Sequence, residues 1–258
     1  MNYKLLADTA MLAGEILLCS GAETYRVEDT MYHILKTSNI DSIEALALMT
    51  GIIVTINDQK FEQPISVMRR VHSRNTNISN IVNVNEISRK YCNGTITLEE
   101  AYERLKRAKE RPYNRIAYNI GTIGMVTGFA AMFGGTVPDL FLAALTGALL
   151  AAFITFSKIV KLNGIFTNAL SGMLIAIFVT LMKAFLMPDI AKDIIIISAI
   201  MPIVPGVSIT NAIRDTLQGD YLSGCARILE ALLIAAAIAV GVGLGIILCS
   251  MMLGGGPL

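Results

Sequence analysis

The sequence predicts a polytopic α-helical membrane domain of five spans, one broken at Pro205-Gly206, preceded by a small cytoplasmic α+β domain. Three observations lead there. The 258-residue chain is 54 % hydrophobic, with 16 % charged residues and no Trp. Of its 21 Lys and Arg, 15 lie within residues 1–115, as do 14 of its 20 Asp and Glu, so charge is concentrated in the first part. Beyond it the apolar runs reach the roughly 20 residues needed to cross the hydrocarbon of a bilayer. The boundary falls near Pro112, giving a domain of residues 1–112 and a membrane domain of residues 113–258.

Several function classes drop out on composition. No basic block or aromatic-basic interleaving marks a nucleic-acid partner. Cys19, Cys92, Cys225 and Cys249 are scattered without metal-ligand or disulfide spacing, so neither a metal nor another cofactor is expected. Asp8 and Glu15 interrupt the first apolar run, which argues against a cleavable signal.

In the first domain, Leu5, Leu6, Leu12, Ile16 and Leu17 recur at near-helical spacing and predict an amphipathic helix from Tyr3 to Cys19, ended by Ser20-Gly21. Glu23 to Leu35 reads as a second helix with acids in its first turns, where the helix dipole favours them. Segments Ser42–Met49, Ile52–Asn57 and Phe61–Val71 are rich in Ile, Val and Thr and are broken by Gly51 and Asn57-Asp58, as in a small antiparallel sheet. Helical character returns from Asn77 to Tyr91. Thr97 and Glu100 form a capping-box pattern that opens a charged helix to Glu110. The domain offers little catalytic chemistry. His33 and His72 are its only imidazoles and read as ordinary surface or core residues, and Glu23 and Arg26, at i, i+3, read on spacing alone as a helix salt bridge.

In the second domain, Ile116–Gly135 is a first span without charge, and Gly121, Gly124 and Gly128 leave one side suited to close packing. Asp139–Phe156 and Gly164–Leu186 follow, Lys183 lying near the far end of the latter. Ile194–Val204 is only 11 residues, roughly 16 Å at helical rise, about half a bilayer. The fourth crossing must therefore recruit Pro205 onward. A fifth span runs from about Ile228 to Leu253, with Glu230 at its start and Gly241, Gly243 and Gly245 inside; these glycines follow no strand and read as packing residues rather than a phosphate loop.

Met201 to Asp220 is the most informative stretch. Pro202, Pro205 and Gly206 break the helix. From Gly206, at 100° per residue, Ser208, Thr210, Asn211, Arg214, Asp215 and Gln218 fall within about half the circumference, while Ile209, Ala212, Ile213, Thr216 and Leu217 fill the rest. The plain reading is a cytoplasmic loop helix with solvated charges. The shortness of Ile194–Val204 favours a second one, in which a helix restarts at membrane depth and aims its free N–H groups and dipole at an anionic ligand. Pro205, Gly206, Ser208, Thr210, Asn211 and Arg214 are then the substrate-binding candidates, Arg214 either clamping a carboxylate or neutralising Asp215. Asp215, Asp220 and Glu230 are proton-coupling candidates, with an i, i+3 pair to Arg227 the alternative for Glu230. No catalytic residue is assigned.

Orientation follows the cations near span ends. Lys106, Arg107, Lys109, Arg111 and Arg115, then Lys158 and Lys161, then Arg214 and Arg227, fall on one side, which predicts a plasma-membrane protein with its N-terminus cytoplasmic and its C-terminus outside.

The string from Pro205 to Asp220, with Ser223-Gly224 and Glu230, the segment Ser20–Glu28 and Val84–Arg89 closely resembles the threonine/serine exporter family over nearly the whole chain. The chain looks like the larger subunit of the split, two-component form. The resemblance implies export of threonine and serine, or of a dicarboxylate such as succinate, driven by protons, in company with a second, smaller membrane subunit; a homo-oligomer stays open. It marks Glu23, Arg26, Pro205, Gly206, Thr210, Asn211, Arg214, Asp215, Gly219 and Asp220, and Glu28 closes the N-terminal motif. The competing expectations are a membrane-anchored hydrolase and a ligand-sensing module, either carried by the N-terminal domain.

Overall fold

Alternation of β-branched residues produces a three-stranded antiparallel sheet: β1 (Ser42–Leu48), β2 (Gly51–Asn57) and β3 (Ile65–Arg70), in that spatial order. Its register pairs Ala45 with Val54 and Val54 with Val67. Ile52, Val54 and Ile56 of the central strand are fully buried, at the period of two expected when one sheet face meets a core. The computed structural model describes residues 2–72, 74–110 and 115–253.

Helix α1 (Tyr3–Cys19) lies under the sheet and packs on α2 (Thr24–Lys36), α3 (Ile78–Cys92) and α4 (Leu98–Glu110). The sequence predicts an amphipathic α1, whereas the structure buries it almost all round. Its small residues permit this: the space a Cβ on Gly14 would take is filled by the Met31 side chain of α2. Glu15, at its rim, reaches Arg69 of β3 at 2.9 Å and Lys109 of α4 at 2.6 Å. Burial pushes the Glu15 carboxyl up, and the bonds to these two cations more than reverse that, leaving it below the usual glutamate range. Of the capping box at α4, one half forms. Thr97 Oγ1 accepts from the Glu100 N–H at 3.2 Å, while the Glu100 carboxylate turns to Arg104. Pro112, expected to end this region, lies outside the described residues.

The membrane-type helices are α5 (Arg115–Met132), α6 (Val137–Val160), α7 (Gly164–Phe185), α8 (Lys192–Ile200), which runs into a 3-10 turn at Met201–Ile203, and α10 (Tyr221–Met252); α9 (Gly206–Leu217) follows the break. Among the described residues α6, α7 and α10 are long and apolar enough to span a bilayer, and a fourth span is gained if Lys192–Ile203 and Gly206–Leu217 count as one. The first of the five spans expected from the sequence does not qualify, because α5 opens on Arg115 and carries Tyr118 and Asn119 in its first turns. Nor is its glycine side packed as expected: a Cβ on Gly121, Gly124 or Gly128 would meet nothing within 4 Å. Close packing sits elsewhere. A Cβ on Gly241 of α10 would collide with the Ala169 carbonyl of α7, and one on Gly245 would lie 2.7 Å from the Met173 carbonyl. Val126, Leu142, Leu150, Ile175, Val179 and Ile195 form the core of these helices. At its start, the buried Asp139 carboxylate accepts from Thr136 N–H at 2.8 Å, Thr136 Oγ1 at 2.7 Å and Ala191 N–H at 2.8 Å, a capping box shared with the entry to α8.

The chain resolves into two compact units. One comprises Met1–Pro112 together with Gly206–Leu229, the other Tyr113–Pro205 with Glu230–Leu258. α9 and the first turns of α10, read from the sequence as part of the membrane domain, pack with the α+β domain. The physical reason is that their polar groups find partners there.

Candidate functional site

The site is built on the link between α1 and α2. Ser20 closes α1, and Gly21 takes φ +82°, a left-handed conformation that L side chains rarely adopt. Glu23 then runs extended into α2 as its N-cap residue rather than inside the helix as the sequence predicts. Four residues thus display two carbonyls, a carboxylate and the first free amide of a helix.

Each of these groups is met by a side chain of complementary chemistry about 190 to 205 positions further along the chain. Asn211 Nδ2 donates to the Gly21 carbonyl at 2.7 Å, and Arg227 Nη2 donates to the Ala22 carbonyl at 2.9 Å. Arg214 donates to and ion-pairs with Glu23. Asp215 Oδ1 accepts from the Thr24 N–H at 3.1 Å. Glu23 makes no side-chain cap of its own helix, so Asp215 serves as the capping acceptor for α2 from a distant segment, an anion placed where the helix dipole favours one.

Asp215 and Arg227 form the innermost layer. Asp215 is 0 % exposed and Arg227 4 %, with Arg227 Nε 2.8 Å from Asp215 Oδ2. Neither of those two atoms makes a directed hydrogen bond, so this contact is an ion pair held by proximity. Thr24 Oγ1 is likewise buried without a hydrogen-bond partner. The outer layer is open. Arg214 keeps 55 % of its side chain exposed, and Arg26 approaches the other side of Glu23 at 3.5 Å, the i, i+3 pair expected from spacing. Burial raises the Glu23 carboxyl, and its own backbone amide with Arg214 and Arg26 more than offsets that, so Glu23 lies below the usual glutamate range.

Helix α9 is turned inside out relative to a soluble helix. Ser208, Asn211, Ala212 and Asp215, at i, i+3, i+4 and i+7, face the α+β domain, while Val207, Ile209, Ile213 and Leu217 are exposed, Leu217 at 80 %. The polar half read from the sequence is thereby split: Asn211 and Asp215 are buried, Ser208 half-buried, and Thr210, Arg214 and Gln218 exposed.

The structure gathers Glu23, Arg26, Glu28, Asn211, Arg214, Asp215 and Asp220 into this unit. Glu28 Oε1 accepts from the Ala47 N–H of β1 at 2.7 Å, and Asp220 bends back so that its N–H donates to the Asp215 carbonyl at 2.9 Å. Four candidates stand apart. Pro205 precedes α9 in the other unit, Gly206 opens α9 exposed with nothing near its Cα face, Thr210 Oγ1 bonds back to the Gly206 carbonyl at 3.1 Å, and Glu230 is exposed on α10 in the second unit. Arg227, read from spacing as the partner of Glu230, is instead committed to Asp215 and Ala22. Thr24 and Arg227 are the residues that sequence reasoning passed over; a lone cation near the start of an apolar run was the one available signal for Arg227. His33 is exposed, with Nδ1 2.8 Å from the Asp29 carbonyl, and His72 is exposed in a loop.

Comparison with known proteins points one way. The family model for the threonine/serine exporter, ThrE, matches residues 8–249. A "Probable threonine/serine exporter" of Mycobacterium tuberculosis is 24 % identical over 244 residues, covering 94 % of this chain and 46 % of its own length. The "Threonine/serine exporter" of Corynebacterium glutamicum is 24 % identical over 256 residues, covering 95 % of this chain and 51 % of its own. The chain thus spans about half the length of these curated relatives. No solved structure matches it significantly.

Proposed function

The chain belongs to the threonine/serine exporter family, and from that premise we propose that it is a subunit of a secondary transporter exporting small carboxylate-bearing metabolites, threonine and serine first and a dicarboxylate such as succinate as the second class. The observation that carries this reading is the pair of exposed Arg214 with buried Glu23, flanked by Arg26, on a buried and fixed base. An α-amino acid brings one carboxylate and one ammonium. Arg214 presents a planar fork for the first and Glu23 an acceptor for the second, so the zwitterion competes for both halves of an existing pair. Gly206 and Thr210 continue the exposed edge of α9 on which Arg214 sits, at i, i+4 and i+8. Proton-motive force drives the cycle in this proposal, with Asp215, Asp220 and Glu230 as candidate coupling carboxylates.

The partner proposal, a second, smaller membrane subunit, rests on the resemblance to the two-component form of the family. Placement in the plasma membrane with a cytoplasmic N-terminus and an external C-terminus is supported by the Lys and Arg distribution. The test is counterflow in vesicles, with and without the candidate partner, offering threonine, serine and succinate in parallel. The proposal expects uptake of at least one of them by the pair and its loss in Arg214→Ala with the protein still inserted. Counterflow by Arg214→Ala at the wild-type rate would remove the site assignment, and no counterflow of any of the three would remove the exporter reading of this chain.

A further inference from the structure

Three acids of the first unit lie close together, and two of them are held by cations or by the fold. Glu23 sits between Arg214 and Arg26, and Asp215 is paired with Arg227. Glu28, one turn along α2 from Thr24, is different. It is half-buried, and its one described partner is the neutral Ala47 N–H of β1. The charges that weigh on it are Asp220 and Asp215, both negative, from α9 and the turn that follows it. The cations nearest in the fold are engaged elsewhere: Arg26 and Arg214 with Glu23, and Arg227 with Asp215. On its own helix, Asp29 turns to His33 at 3.2 Å; on α1, Glu15 is taken by Arg69 and Lys109; on α3, Glu86 is taken by Lys90.

We propose that Glu28, rather than Asp215, is the carboxylate that binds and releases the coupling proton, and that its charge sets how firmly α9 is held on the Gly21–Thr24 segment. This rests on the exporter reading above. A carboxylate locked to a buried guanidinium is a poor proton carrier, since neutralising it strands the cation. A carboxylate with anionic neighbours and a single neutral donor takes a proton with relief of repulsion, and burial together with Asp220 and Asp215 indeed raises Glu28 above the usual glutamate range despite the Ala47 bond. The proton comes from water and returns to water, and no bond other than O–H is made or broken. With Glu28 ionised, its charge adds to that of Asp220 beside the Asp215–Arg227 pair; with Glu28 protonated, that repulsion is relieved and the contact tightens.

The test uses the full chain with its partner subunit in lipid vesicles, threonine, serine and succinate as probes, and two readouts. In infrared titration, the wild type is expected to show a protonated-carboxyl band that persists to higher pH than ordinary glutamates and that Glu28→Gln removes; the amide oxygen of Gln can still accept from Ala47, so the fold is retained. In transport, the ratio of efflux with a pH gradient to efflux without one is expected to fall to unity in Glu28→Gln and to recover in Glu28→Asp. A band unchanged by Glu28→Gln overturns the assignment, as does a gradient ratio in Glu28→Gln equal to that of the wild type. A wild type inert towards all three probes overturns the exporter reading instead, and the band alone then decides whether Glu28 holds a proton.

Discussion

Replacing Arg227 by Met should be the most damaging single change in the first unit. Met keeps the unbranched apolar stem of the side chain and removes its charge, leaving Asp215 fully buried with only the Thr24 amide at 3.1 Å, and freeing the Ala22 carbonyl that Arg227 satisfied at 2.9 Å. Removing one partner of a buried pair costs about 3–5 kcal/mol, most of it the stranded charge. At 1.4 kcal/mol per factor of ten, hydrogen exchange of the first amides of α2 should accelerate by about a hundredfold to a few thousandfold where these exchange by opening of this contact. Hydrogen-exchange mass spectrometry on the full chain, resolved to the peptide containing Thr24–Val27, measures it. The double variant Asp215→Asn, Arg227→Met removes both charges and keeps an oxygen for the Thr24 N–H, so it should recover most of the protection; the difference is the coupling of the pair. Acceleration below about tenfold in the single variant, or a double variant no better protected than the single, would refute the reasoning, since RT fixes the tenfold step at 1.4 kcal/mol.

Asn211→Leu should cost about 1–3 kcal/mol by leaving the Gly21 carbonyl unpaired, seen in the same exchange experiment at residues 21–24. Glu15→Gln should cost about 1–3 kcal/mol at neutral pH by weakening its bonds to Arg69 and Lys109. Because Glu15 titrates below its unfolded value, that contribution is present above the ordinary glutamate range and is lost as pH falls through the depressed native value; thermal melts across acid pH should show the variant and wild type converging there. Glu28 has the opposite sign. Its contribution is complete below about pH 4.3, the ordinary glutamate value, and is lost as pH rises through its raised native value, so Glu28→Gln should gain on the wild type over that interval. In the membrane-type helices, Gly241→Leu should abolish accumulation of folded protein in detergent by driving a side chain into the Ala169 carbonyl, whereas Gly124→Ala, with open space around it, should be neutral or stabilising by up to about 1 kcal/mol.

Much of the fold was legible because it depends on local periodicity. The helix to Cys19, the three strands and the break at Pro205-Gly206 stand within a few residues of where patterning puts them. What periodicity leaves open is which side of a helix is inside. For α1, leucine spacing suggested one buried face, while Ala7, Ala10, Ala13 and Gly14 let neighbours close around the rest. For α9, the projection located a polar half but not its destination. A helix with apolar side chains outward and Asn211 and Asp215 inward is explained by the groups exposed at Gly21–Thr24, which lie about 190 residues away and leave no periodic trace. Arg227 shows the same limit. Its i, i+3 spacing to Glu230 is visible in the sequence, whereas its contact with Asp215 depends on the turn at Gly219, where φ is +94°. The motif residues were legible as a set, through resemblance, before their pairing was.

The first unit draws its parts from both ends of an intervening run of apolar helices, and this has a consequence for how the protein is made. When residues 1–110 leave the ribosome, the Gly21 and Ala22 carbonyls, the Thr24 amide and the Glu23 carboxylate still lack the partners that will meet them, and those partners are translated only after α5 to α8. Contacts of such long sequence separation form late. The N-terminal domain must therefore wait, with one edge unfinished, while α5 to α8 are made. A chaperone or the partner subunit that shields this edge would act before any solute is carried, and a chain stopped before Arg227 would lack the closing residue of a domain that began at its first helix.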